Sequence, residues 1–201
     1  MTTASGVSYL GPAENTPDAE RIFEADVRGL GYVMNASRLW SHLPPAFDTF
    51  RQLMEILTKA SGLSLGQRGV LVTTTAATIG DSYCSMAWGK KLAEATSPDV
   101  AAALVRGDSG GLDDKGKALA HWARRVVEQP NDTTPDDIQW LRAAGFSDAQ
   151  IFAITAFVAF RLAFAAVNDA LGAIPDADLQ ASLPEPLRSA VTFGRQPDGK
   201  S

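Results

Sequence analysis

The sequence predicts an all-α protein of about eight helices. Three observations predict it. Hydroxyl-proline-acid triplets stand at Thr16-Pro17-Asp18, Ser97-Pro98-Asp99 and Thr134-Pro135-Asp136. Apolar residues recur at spacings of three and four, and only one run, Val70 to Thr75, is β-branched enough to suggest a strand.

Taken in order, residues 1–15 read as an N-terminal arm, because no helical period or cap precedes Thr16. Each triplet places a capping oxygen before a proline at the first helical position and an acid in the first turn, so a helix starts at each. Phe47, Phe50, Leu53, Met54 and Leu57 form one stripe, and Leu119, Trp122, Ala123 and Val126 form another, each marking a helix with a core-facing side. Ser64 with Gln67 and Ser147 with Gln150 have capping-box spacing and start two more. The first of these boxes, with the alanines that follow, makes Val70 to Thr75 helical, since a lone strand would leave its backbone groups unpaired. Gly62, Gly107, Gly145 and Gly172 stand where helices should stop. Residues 184–201, with Pro184, Pro186, Pro197 and Gly199, read as a poorly ordered or partner-bound tail. The folded unit is therefore expected over 16–183.

Composition narrows the function. At 201 residues and 45% hydrophobic content, the chain can bury a core without staples. A net charge of −5 with no Lys/Arg run gives no footprint for nucleic acid or an anionic membrane. Met1 to Gly11 has no basic or apolar segment of the secretory kind, so a cytoplasmic location is expected. The apolar stretch Ile151 to Val167 contains Arg161, falls short of the roughly 20 residues of a span, and reads as a buried helix. Cys84 is the only cysteine, and the two histidines are His42 and His121. There is no disulfide framework and no reason to invoke a metal, flavin or haem, so no cofactor is expected.

The stretch from Ser64 to Ala95 contains Arg68, an apolar-threonine run, Ile79-Gly80-Asp81-Ser82-Tyr83-Cys84 and an Ala/Lys-rich helix. Upstream lie Leu30-Gly31-Tyr32-Val33-Met34-Asn35 and His42-Leu43-Pro44; downstream lie Leu119-Ala120-His121-Trp122-Ala123 and Gly145-Phe146-Ser147-Asp148. In order and spacing this pattern resembles the carboxymuconolactone decarboxylase and alkylhydroperoxidase D superfamily, in particular its peroxidase-related group, over roughly residues 20–172. The resemblance implies an all-α fold assembling as a homo-oligomer (dimer, trimer or hexamer) and peroxide or thiol chemistry at one site.

In redox-active relatives that site is a Cys-x-x-Cys at a helix start, a His four residues after the second Cys and a Glu fifteen before it. Carried over, the second Cys is Cys84, the first is Asp81, the His is Trp88 and the Glu is Gly69. The family's disulfide cycle and proton relay therefore lack their groups. The decarboxylase-like branch uses a Glu and a His four apart on this helix, where Cys84 and Trp88 stand. Read locally, Asp81 is an N-cap that raises the pKa of a buried, inert cysteine. Read through the resemblance, Cys84 and Asp81 are the catalytic residues of a one-cysteine thiol/peroxide site lined by Tyr83, Trp88 and Arg161. The alternatives are a lyase acting on a small organic acid, with Asp81 transferring protons and Arg161 holding a carboxylate, and a non-catalytic small-molecule-binding oligomer.

Arg161, inside an apolar helix, must either pair with an acid such as Asp81, Asp169 or one from a neighbouring subunit, or face a cavity; the structural pair is preferred. His121 reads as a surface or interface residue at the edge of its stripe and His42 as a turn residue. Trp40, Trp88, Trp122 and Trp140 read as core or interface. Asp113-Asp114 and Asp136-Asp137 read as first-turn acids.

Overall fold

The computed structural model describes residues 7–197, which contain eleven α-helices and no strand. Eight helices have seven or more residues, and these account for the elements read from the sequence. Each predicted start is observed. Thr16, Ser64, Ser97, Thr134 and Ser147 all accept a backbone N–H of the first turn through their side chains, and the capping boxes at Ser64/Gln67 and Ser147/Gln150 close in both directions. A third box, Thr134 with Asp137, was not anticipated.

The centre is a hairpin of α4 (Leu65–Ile79) and α5 (Ser82–Ala95). Val70 to Thr75 lie within α4 and are buried on all sides, so tertiary packing overrides their strand propensity. Two residues join the helices. Gly80 caps α4 at a φ of 75°, which a side chain would resist, and Asp81 caps α5. The two helices approach closely. A Cβ on Gly66 would lie 3.2 Å from the Cβ of Ala95, and one on Gly69 would lie 3.1 Å from the Cβ of Leu92 and 3.3 Å from its Cα. Those paired positions run in opposite directions along the chain, as an antiparallel hairpin requires.

The other helices clothe this hairpin. α7 (Asp114–Glu128) packs on α4, burying Leu119, Trp122 and Ala123 as its stripe predicts. α3 (Pro44–Ser61) and α9 (Asp148–Ala170) pack together, and α9 also lies on α4 and α7. The apolar stripe of α3 turns out to be divided: Leu57 is in the core, whereas Phe47 and Phe50 are half-buried along a cleft. α9 runs 23 residues, longer than the apolar stretch anticipated, and by length and composition alone it could cross a membrane. In this fold it buries Ile151, Ile154, Phe157, Val158 and Ala165 against its neighbours.

The first described residues and the segment after α9 pair with each other. Val7 and Tyr9 of the arm exchange backbone hydrogen bonds with Ile174 and Leu171 (3.0 and 2.8 Å). The segment read as a poorly ordered tail instead forms α11 (Glu185–Ala190), with Leu187, Ala190 and Val191 buried against α5 and α6 (Pro98–Val105). Its prolines suggested irregularity. In fact Pro184 precedes the helix and Pro186 occupies its first turn, where a missing N–H costs nothing. Residues 1–6 of the arm and 198–201 of the tail lie outside the described residues.

Because Gly69 meets both backbone and side chain of Leu92, Gly69→Val is expected to destabilise the fold by about 1–3 kcal/mol, a typical overpacking cost. Gly29→Ala, in an open position on α1 (Pro17–Leu30), is expected to stabilise it by up to about 1 kcal/mol. Urea unfolding of the two variants followed by circular dichroism checks both signs.

Candidate functional site

A cleft of about 330 Å³ opens between α1, α2 (Asn35–Trp40), α3, α5 and α9. Helical geometry dictates what α5 presents to it. Cys84, Ala87, Trp88 and Lys91 fall at i, i+3, i+4 and i+7, one face of the helix, and all four line the cleft. Tyr83, Arg161 and Phe164 line it too, with Phe47, Phe50 and Arg51 from α3. The structure thus brings Arg161 of α9 to Tyr83, Cys84 and Trp88 of α5, with Asp81 as the cap at the start of that helix.

Asp81 is completely buried. Its Oδ1 accepts the Cys84 backbone N–H at 2.9 Å, the N-cap bond expected from the sequence, while Oδ2 is buried without a partner among the described residues. Burial pushes the thiol well above its ordinary pKa, the Asp81 charge adds to the rise, and the Arg161 guanidinium pulls it back. Burial likewise raises Asp81, opposed by its hydrogen bonds with Cys84 and Tyr83 and by Arg161. The resting site therefore holds a protonated thiol beside a buried carboxyl whose affinity for a proton is raised.

The expected structural pair for Arg161 is not made. Among the described residues no carboxylate lies within salt-bridge distance of it; Asp169 pairs with Arg195 instead, at 3.8 Å. Its guanidinium faces the cleft, 4.8 Å from the Trp88 ring centre and 5.4 Å from that of Phe164, and its Nε is buried without a partner. Helix phase is the reason: Arg161 stands between the buried face of α9 and its exposed one, turned toward α5 rather than toward a polar surface.

Tyr83 is locked in place. Its hydroxyl donates to Asp176 at 2.5 Å and accepts the Ala36 N–H at 3.2 Å, while Asp176 also accepts the Asn35 N–H at 2.8 Å. It braces the cleft wall and offers no free hydroxyl. Neither histidine lines the cleft: His42 contacts the Gly11 carbonyl (3.1 Å), and His121 binds Asp137 (2.6 Å) under the Trp140 ring. Trp122 is core, its indole bonded to Thr155, and Trp40 stacks on Phe164 with a ring separation of 4.9 Å. Asp113 is the N-cap of α7 rather than a first-turn residue, and Asp137 serves both cap and His121.

No protein-family model matches the sequence, and no curated protein does. Solved structures do match. An uncharacterized peroxidase-related protein from Ralstonia eutropha JMP134, described as an alkylhydroperoxidase AhpD core, superposes with a TM-score of 0.78 at 23% identity, over 88% of this chain and 96% of that one. The chain has the AhpD-like fold. A second uncharacterized peroxidase-related protein, from Silicibacter sp. TM1040, gives a TM-score of 0.79 at 21% identity, over 92% and 100% of the two chains. The debrominase Bmp8, as a cysteine-to-alanine variant in complex with 2,3,4-tribromopyrrole, gives 0.70 at 17% identity over 92% and 98%.

At Gly69 the α4–α5 contact leaves little room for a side chain: a Cβ there would lie 3.1 Å from the Leu92 Cβ. Sequence reasoning missed Lys91, Arg51, Phe47, Phe50 and Phe164. Lys91 was within reach as the fourth member of the Cys84 face, but the aromatics carried only a core signal.

One acid beside this region gives a pH signature. Burial, with help from the Asp81 charge, raises the Asp169 carboxyl to about 6. A carboxyl raised above its unfolded value binds its proton more tightly in the folded state, so its contribution to stability falls as pH rises from about 4 to about 6 and is level above that. Thermal melts from pH 4 to 7 are expected to show a shallower decline in Asp169→Asn than in the wild type.

Proposed function

We propose that this protein is a one-cysteine thiol oxidoreductase acting on small organic hydroperoxides, with Cys84 as nucleophile and Asp81 as base. The observation that carries this reading is the Cys84 thiol between a fully buried carboxylate and an unpaired guanidinium at the floor of an aromatic-lined cleft. The likeness in fold to peroxidase-related proteins supports it.

The raised thiol pKa decides the mechanism. Few thiolates exist at neutral pH, so activation must come in the transition state rather than from resting ionisation. As Sγ attacks the terminal peroxide oxygen, its proton passes to Asp81. The S–O bond forms, the O–O bond breaks, and the departing alkoxide takes the proton from Asp81 to leave as alcohol. Sulfur is oxidised by two electrons and the peroxide reduced by two. Arg161 stabilises the negative charge as it moves from sulfur to the leaving oxygen. With no second cysteine, one equivalent of an external low-molecular-weight thiol condenses with the sulfenic acid to a mixed disulfide and water, and a second attacks that disulfide, releasing the Cys84 thiol and a low-molecular-weight disulfide.

A second reading keeps Cys84 as nucleophile and makes the substrate a small aromatic ring. The flat walls of Phe50, Phe164 and Trp88 favour it, as does the halogenated pyrrole held by a debrominase of the same fold.

The test follows Cys84 oxidation by mass spectrometry with cumene hydroperoxide and hydrogen peroxide. Cys84 is expected to form sulfenic acid faster than a free thiol, with the organic peroxide preferred, and Cys84→Ser to abolish peroxide consumption. Asp81→Asn keeps a capping oxygen and removes the base, so it is expected to slow the reaction by about 100-fold, the low end of general-base contributions. A faster reaction in Asp81→Asn would mean that Asp81 only suppresses the thiol. A wild-type rate no better than a free thiol would overturn the reading altogether.

A further inference from the structure

The cleft's charge is out of balance with the rest of the chain. Three cations line it, Arg51, Lys91 and Arg161, against one acid, Asp26, which is already engaged by the Met34 N–H at 3.0 Å. None of the three has a carboxylate within 4.0 Å among the described residues, in a protein of net charge −5. Two of them share an aromatic: the Lys91 ammonium lies 4.3 Å from the Trp88 ring centre and the Arg161 guanidinium 4.8 Å from it. They repel each other, and Arg68 adds to that repulsion, with only Glu94 acting in the opposite sense on Lys91.

Lys91 and Arg51 are exposed, so the cost without a ligand falls on Arg161, which is only partly exposed: a cation that gives up water loses more than one or two aromatic faces return. The Arg161 Nε also lacks any acceptor. Charges of one sign around an apolar cleft focus a field that attracts the opposite sign. The walls are flat and apolar, supplied by Phe47, Phe50, Phe164 and Trp88. Their volume suits a ring with a short chain, since a cavity of roughly 150 Å³ accepts benzene alone.

We propose that the cleft selects an organic anion, a carboxylate joined to an aromatic or compact apolar body, with the carboxylate on Arg161 and Lys91 beside Trp88. The α5 face sets the orientation: Lys91 stands about two turns along from Cys84, so with the anionic end at the cations the uncharged end faces Cys84. The proposal deepens the reading of this cleft as the substrate site and makes the preferred hydroperoxide an acid rather than a neutral alkyl peroxide.

Calorimetric titration of the reduced protein, without peroxide, with 3-phenylpropionate and the isosteric 3-phenylpropionamide tests it apart from thiol reactivity. The acid is expected to bind at least about tenfold more tightly than the amide, the worth of one charge-assisted hydrogen bond. Arg161→Gln is expected to erase that preference while leaving the amide's affinity within about twofold. Lys91→Gln, at a more peripheral position, is expected to reduce it and serves if Arg161→Gln does not fold. Equal affinities for acid and amide, or no binding of either at millimolar concentration, would overturn the proposal. Selective acid binding with an unreactive Cys84 would leave this inference standing and remove the hydroperoxide reading; a reactive Cys84 with no preference for the acid would do the reverse.

Discussion

A carboxylate with no exposed surface, Asp81, sits in the two-residue turn between the central helices, and the arrangement of the site follows from it. As an N-cap it contributes on the order of 1 kcal/mol. Burying a carboxylate costs several kcal/mol even after relaxation. The cap alone does not cover that cost, so burial raises the carboxyl's affinity for a proton while its hydrogen bonds and the field of Arg161 oppose the rise, and Oδ2 lacks a partner among the described residues. The result is a carboxylate with a high affinity for a proton, next to the only thiol in the chain. An ordinary exposed cap would have neither property.

The same turn is possible because α4 and α5 lie so close. Gly66 and Gly69 let the helices approach to side-chain contact, which fixes the pitch of α5 and aims Cys84, Trp88 and Lys91 into one cleft. Packing and chemistry are exchanged at a single position here. Where redox-active relatives are expected to hold a relay carboxylate, this chain holds a glycine that the hairpin needs. The cleft's two ends differ in chemistry: a thiol and a buried acid at the floor, cations without a carboxylate partner among the described residues and flat aromatic walls above. Tyr83, bonded to Asp176 and to the α2 backbone, braces the wall between them.

Helix boundaries were legible because their causes are local. A side-chain oxygen reaching a backbone N–H three residues on needs nothing from the rest of the molecule, and every predicted cap from Thr16 to Ser147 is made. The helical state of Val70 to Thr75 needed one more inference, that no second strand existed to pair with it. The tail was misread for the opposite reason. Its prolines are local and visible, whereas Leu187 finds its place only against Gly89 across the fold.

By itself the sequence determined the helical class, the caps, the position of Asp81 over Cys84 and the loss of three of the four redox-site residues of the family it resembles. Each depends on residue identity and spacing within one or two turns. Tertiary structure alone decided that Arg161 meets Trp88 and Phe164 instead of an acid, that Phe47 and Phe50 wall a cleft instead of filling the core, and that both histidines are spent elsewhere. Periodicity places an apolar residue on the inner face of a helix but does not say whether that face meets packed neighbours or open space. That depends on how distant helices cross, and the crossing is set by the summed packing of the whole chain.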